Sequence, residues 1–236
     1  MMAIDTSVII PVRNGSNFIA EAVKSAMAQL GDVDELIVVW DDSDDDTISV
    51  LSGFKDPRIR IIKGPGIGVS GGRNAGIAAS TGEFIAFLDH DDLWPADRHR
   101  KMMQVMADDP QVDAVFGRMR IRLDPGATPW QWVLDLDGRH VPGPNLGTGL
   151  FRGRLLRRIG GFDETLRFGE DLDYFLRLRE MGMKISLCDV DGLIYRRHAT
   201  NCTDNQLAVR KSVFDVMKRS MARAGGSKAH TAGKRP

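Results

Sequence analysis

Three carboxylates fall within four residues at Asp89-His90-Asp91-Asp92, directly after the apolar run Phe84-Ile85-Ala86-Phe87-Leu88. The run has strand character, so it delivers all three to its C-terminal end. Carboxylates held together repel one another and are costly to desolvate. A cation offsets both effects. The D-x-D spacing suits a hard divalent ion held by few carboxylates and shared with a phosphate ligand. That chemistry is metal-assisted reaction of a phosphorylated, nucleotide-linked substrate. An acidic turn capping the next helix is the plain alternative, and for Asp92 that role suffices. His90 is a spacer that faces away from its neighbours if the chain there is extended.

Four further stretches carry candidate groups. Asp41 to Asp46 is an acidic loop. A carboxylate offers only acceptors, which suits a ligand N–H at Asp41, whereas Asp44 to Asp46 read as a helix N-cap cluster. Gly64 to Gly72 is glycine-rich, which lets backbone approach a ligand closely. It leads into Arg73, able to make a bidentate bond to Asp89 or to phosphate. Nothing in it matches a Walker phosphate loop. Glu170-Asp171 opens a helix whose dipole favours acids in the first turn, and Phe168-Gly169 permits a sharp turn into it. His198 follows a strand and precedes a polar turn, where structural and metal-binding roles are both open.

The elements that must position these groups are legible from periodicity. Residues 6–12, 35–40, 59–62 and 84–88 read as strands. Between them come a helix from Ser16 or Asn17 to Gln29, a helix through Leu51, and a short helix over 73–80. Strand–helix alternation with long connections predicts an α/β fold with a mostly parallel central sheet flanked by helices. Ligands of such sheets bind beyond the carboxyl ends of the strands. The loops after Pro11, Trp40, Ile62 and Leu88 all lie there. The second half is less regular and predicts a smaller mixed region. Helices are expected over 93–107, 150–159, 170–181 and 206–223, and strands over 112–123, 184–188 and 193–197. Residues 124–149, rich in Gly and Pro with Trp130 and Trp132, read as a substrate-facing segment. Residues 225–236 read as a disordered tail.

The chain has 236 residues, 42% of them apolar, and balances 32 basic against 32 acidic residues. One domain over 1–224 is expected, and no nucleic-acid partner. Basic residues gather late, at 152–158 and from Arg210 onward, so peripheral contact with an anionic membrane surface stays open. Two cysteines without C-x-x-C imply neither a disulfide framework nor zinc. With no signal-peptide pattern and no membrane-spanning run, a cytoplasmic protein, free or at the inner face of a membrane, is expected.

Several motifs occur in fixed order: Ser7-Val8-Ile9-Ile10-Pro11-Val12-Arg13-Asn14, Ile37-Val38-Val39-Trp40-Asp41-Asp42-Ser43, Gly72-Arg73-Asn74-Ala75-Gly76, Asp89-His90-Asp91-Asp92, Gly160-Gly161-Phe162-Asp163-Glu164 with Glu170-Asp171, and Tyr195-Arg196-Arg197-His198. Together, over residues 6–203, they resemble an inverting family 2 glycosyltransferase with the GT-A fold. The resemblance implies a nucleotide-sugar-binding half over about 4–123 and an acceptor half over 124–224. It implies a nucleoside-diphosphate sugar donor, UDP-linked, contacted by Pro11, Arg13, Asn14, Asp41, Arg73, Asp89 and His90. Asp91 would ligate Mn²⁺ or Mg²⁺, with His198 completing the shell. Asp171 would be the general base, supported by Glu170, with Trp130 or Trp132 stacking on the acceptor. Asp163 and Glu164 read as turn and packing residues. The family's D-D-G-S appears here as Trp40-Asp41-Asp42-Ser43, which leaves base recognition open. The acceptor would be a saccharide, a lipid-linked saccharide or a small molecule, and homodimerisation stays open. A nucleotidyltransferase and a non-catalytic nucleotide-sugar-binding homologue are the rival readings.

Overall fold

The computed structural model describes residues 5–127, 138–141, 145–201 and 206–232. Trp130 and Trp132 lie outside the described residues. The first half alternates β1 (Thr6–Val12), α1 (Ile19–Met27), β2 (Glu35–Trp40), α2 (Thr47–Ser52), β3 (Ile59–Lys63), α3 (Val69–Ala79) and β4 (Phe84–Phe87). The second half adds α4 (Arg98–Asp108), β5 (Ala114–Leu123), β6 (His140–Val141) and a 3-10 turn at Leu146–Thr148. It continues with β7 (Gly149–Arg152), α5 (Gly153–Ile159), α6 (Glu170–Glu180), β8 (Ile185–Arg197) and α7 (Gln206–Ala232).

One sheet runs in the order β3-β2-β1-β4-β7-β5-β6, and β8 pairs with β5. β1 pairs in parallel with β2 and β4, and β2 with β3. β7 is antiparallel to both β4 and β5. The α/β class with a mostly parallel first half and a mixed second half is as expected. Every residue of β1 and β4 is buried, as strands covered on both faces require. Alternation along β1 sends Val8, Ile10 and Val12 into the layer with α1 and α4, and Ile9 into the layer with α3 and α6.

α3 lies close on β1 because its glycines permit it. A Cβ on Gly76 would overlap the Ile9 side chain, and one on Gly72 would meet Pro11 Cβ at 3.1 Å. Ile9 is β-branched and fully buried, so it has little room to yield. Gly76→Ala is expected to cost about 1–3 kcal/mol by overpacking, measured by urea unfolding. It should also shift Arg73, which sits one turn away on the same helix.

Several expected elements differ. Residues 150–152 belong to a strand, not a helix: β7 fills the gap between β4 and β5, and only from Gly153 does the chain turn helical. The helix expected from Leu93 begins at Arg98, because Leu93 bridges to Ile194 and the backbone there is extended. The two late strands are one, β8, whose pairing with β5 shifts register between Phe116 and Met119. Neither Ser16 nor Asn17 caps α1, whose N-cap position is Phe18. Asp46 occupies the N-cap position of α2 without a side-chain cap bond, and Asp45 instead accepts the Thr47 and Ser16 N–H groups. The last helix runs on to Ala232, beyond Arg223 where it is expected to end.

Candidate active site

A cleft of about 390 Å³ opens where β1, β2 and β4 end. This is the switch point of the sheet, with β2 on one side of β1 and β4 on the other. Of the candidate residues, Pro11, Arg13, Asp41, Arg73, Asp89, His90, Asp91, Glu170 and Asp171 all line it. The structure thus gathers around one cleft groups that are far apart in sequence.

Arg73 is the hinge of the site. Its side chain is 3% exposed and meets three carboxylates. Nη1 donates to Glu170 Oε1 at 3.0 Å and Asp171 Oδ1 at 2.6 Å, and Nη2 donates to Asp89 Oδ1 at 2.9 Å. The sequence offered Asp89 or phosphate as its partner. The structure adds the two acids that open α6, so one cation joins the two halves of the chain. The next residue, Asn74, bridges the halves in a similar way. It accepts the Phe162 N–H at 2.7 Å and donates to the Phe162 carbonyl and to Glu164. Phe162 in turn stacks on Tyr174 of α6 at 4.0 Å. Asp163 accepts from Thr165 and from Arg219 of α7. Asp163 and Glu164 therefore hold the loop that leads to α6, as expected of turn and packing residues.

Burial pushes the Asp171 carboxyl up, to about 7, with Arg73 opposing and Glu170 and Asp89 adding to the rise. Its side chain keeps 33% exposure at the cleft. A carboxylate that is partly open and titrates near neutrality is suited to accept a proton.

Asp91 and His198 form the second pair. His198 Nε2 lies 3.2 Å from Asp91 Oδ2. Its Nδ1 meets the Thr200 hydroxyl at 2.9 Å, and its ring stacks on Phe18 at 4.2 Å. Fixing one ring nitrogen this way aims the other. Burial would raise Asp91, but the His198 hydrogen bond and the imidazoles of His90 and His198 hold it below the ordinary carboxylate range. Among the described residues no cluster of three or more His, Cys, Asp and Glu forms a cage for a metal. The Asp91 carboxylate, held ionised, fits Mn²⁺ or Mg²⁺, which keep waters and take substrate phosphates to complete their shells, whereas the His198 imidazole is a weaker match to such hard ions.

Asp92 does not cap a helix. It is 2% exposed, accepts the Arg196 N–H at 2.9 Å, and so ties the acidic turn to β8. Burial, then Asp91 and Asp89, raise its carboxyl well above the ordinary value. His90 is not turned away, because β4 has ended and the chain is in a turn. Its ring lines the cleft and packs against Gly15, where a Cβ would lie 2.5 Å from it.

Asp41 is 3% exposed and accepts the Gly66 and Gly68 N–H groups, which fixes the glycine-rich loop against the cleft. Of its neighbours, Asp42 pairs with Lys63 at 3.1 Å, and Trp40 packs against the α1 layer. Asn14 does not line the cleft. At φ 53° it accepts the Asp44 N–H at 2.8 Å, and its own N–H donates to Ser43, buckling two loops together. Asn145, Tyr195 and Asn201 also line the cleft, and sequence reasoning gives them no role there. Asn145 and Thr148 form a capping box, and their N-x-x-T spacing is a signal that could have marked the turn.

The family model "Glycosyl transferase family 2" matches residues 7–202. Succinoglycan biosynthesis protein ExoO of Rhizobium meliloti is 37% identical over 143 residues, 58% of this chain and 36% of that protein. Hyaluronan synthase of Pasteurella multocida is 27% identical over 93% of this chain and 23% of its own length. UDP-Glc:alpha-D-GlcNAc-diphosphoundecaprenol beta-1,3-glucosyltransferase WfgD of Escherichia coli is 32% identical over 49% of this chain and 46% of its own. The chain therefore spans less than half the length of these relatives. Among solved structures, S. aureus TarS 1–349 in complex with UDP-GlcNAc superposes with a TM-score of 0.74 at 19% identity, covering 92% of this chain and 65% of that one. TarS thus shares the fold, and the match over residues 7–202 makes this chain a member of glycosyl transferase family 2.

Proposed function

We propose that the chain transfers a sugar from a nucleoside-diphosphate sugar, UDP-linked, to an acceptor hydroxyl with inversion. The observation that carries this reading is the division of carboxylates within one cleft. Asp41, Asp89 and Asp91 come from the sheet half, and Asp171 comes from α6 in the other half. A donor seated over the ends of β1 and β4 would have its leaving group at Asp89–Asp91, with Asp171 of α6 lining the same cleft. The complex of TarS with UDP-GlcNAc supports a uridine donor in this fold.

In this reading Asp41 accepts the base N–H with the lone pairs its two backbone bonds leave free. Arg73 keeps Asp89 and Asp171 in fixed relation on its one guanidinium. Asp171 takes the proton from the acceptor hydroxyl as that oxygen attacks the anomeric carbon and the C–O bond to the diphosphate breaks. Asp91 and His198 would hold Mn²⁺ or Mg²⁺, which when bound offsets charge on the departing diphosphate. A saccharide acceptor, free or lipid-linked, fits the relatives' names.

Thermal melting with UDP, with and without Mn²⁺, tests the donor side. A ligand that binds only the native state raises its melting temperature by mass action. UDP with Mn²⁺ is expected to raise it more than either alone, and Asp91→Asn is expected to remove the metal-dependent part. No shift with UDP at any Mn²⁺ concentration would refute the assignment.

A further inference from the structure

The solvent face of α7 takes no part in the cleft. Its inner face packs on α6 through Val216, which is fully buried, and through Arg223, which donates to Asp173 and Glu180. On the opposite face four large apolar side chains stand in water: Leu207 is 82% exposed, Phe214 60%, Met217 53% and Met221 74%. Their spacing of seven, three and four residues places them on one stripe of a helix. Arg210, Lys211 and Lys218 are exposed on the same side, and Lys218 Nζ rests 4.4 Å from the Phe214 ring centre. Asp215 is the one acid in residues 206–223, and it is half-buried to the side.

An apolar stripe flanked by basic residues and free of exposed acids matches the interface of an anionic bilayer. A second copy of the chain fits it less well, because pairing this stripe with itself sets Arg210, Lys211 and Lys218 against like charges. No helix among the described residues is long and apolar enough to cross a membrane. We propose that α7 seats this protein on an anionic lipid surface, with Phe214, Met217 and Met221 in the interface and the three basic residues against lipid phosphates. The helix lies directly on Gly169, where an added Cβ would meet Val216 Cγ2 at 3.5 Å. The helix so seated is therefore the one whose buried face rests on the turn that precedes Glu170 and Asp171.

The test needs no sugar donor, so it stands or falls apart from the transfer reaction. The 236-residue chain is floated with vesicles of equal parts phosphatidylglycerol and phosphatidylcholine, and with phosphatidylcholine alone. Binding is expected to the anionic vesicles and to weaken with added salt. Phe214→Ser with Met221→Ser, and separately Lys211→Glu with Lys218→Glu, are expected to weaken it about tenfold or more. All four positions are exposed, so circular dichroism should be unchanged. Unchanged binding in both variants, equal binding to neutral vesicles, or absence of binding would each overturn the proposal. So would light scattering that shows a dimer abolished by Phe214→Ser with Met221→Ser.

Discussion

Asp171→Asn is expected to lower sugar transfer by about 10³-fold, within the range that loss of a positioned general base produces. The amide keeps the size and the contact with Arg73, so UDP with Mn²⁺ should still raise the melting temperature. Transfer that survives the substitution would place the base elsewhere. The pH dependence gives a second check. Asp171 titrates near 7, and only its carboxylate accepts a proton. The kcat/KM of the native protein should therefore rise with pH and level off above about 7, and the Asn variant should lack that limb. The stability effect has the opposite sense. A carboxyl raised in the folded state binds more protons than it does unfolded, between its ordinary value of 3.8 and about 7. Its contribution to stability is present below 3.8 and is lost as pH rises through 7. At about pH 8 the Asn variant should melt no lower than the native protein, although its transfer rate is down about 10³-fold.

Arg73→Met is expected to cost about 3 kcal/mol of stability at about pH 8, the lower end for breaking a buried ion pair. The lower end applies because Asp89 is 40% exposed and Asp171 33%, so water reaches both. Arg73 lowers the Asp171 value in the native protein, and its removal should move the kcat/KM limb to higher pH. Because Asp171 then stays protonated over a wider range, the stability deficit should shrink as pH falls, which urea unfolding at about pH 6 and about pH 8 would measure. Arg73→Lys should not restore turnover: one ammonium cannot set two carboxylates on one nitrogen and a third on its neighbour. A variant with native stability and a native pH profile would show that Arg73 only fills space.

Much of this is legible in the chain itself. The first four strands and their helices carry clear periods, and the sheet-edge rule puts Asp41, Arg73 and Asp89–Asp91 in one place. β7 is not legible, because a four-residue buried run followed by helical sequence has no period that separates strand from helix. The facing of His90 and the role of Asp92 escape for a related reason: alternation and capping rules assume a regular element, and the chain there is in a turn. The bonds from Arg73 to Glu170 and Asp171 span 97 and 98 residues, and spacing along the chain says nothing about pairs so distant. The apolar stripe of α7 is present as letters, but which side faces water depends on α6.

The position of β7 also sets an order of assembly. Gly149–Arg152 lies between β4 and β5 in the sheet, so strands made early wait for one made late. As the chain is synthesised, β4 presents a bare edge and Arg73 lacks two of its three anions until α6 emerges. Both closures join segments far apart in the chain, contacts of the kind that form slowly and leave edges open to wrong partners. The two halves are thus joined in folding.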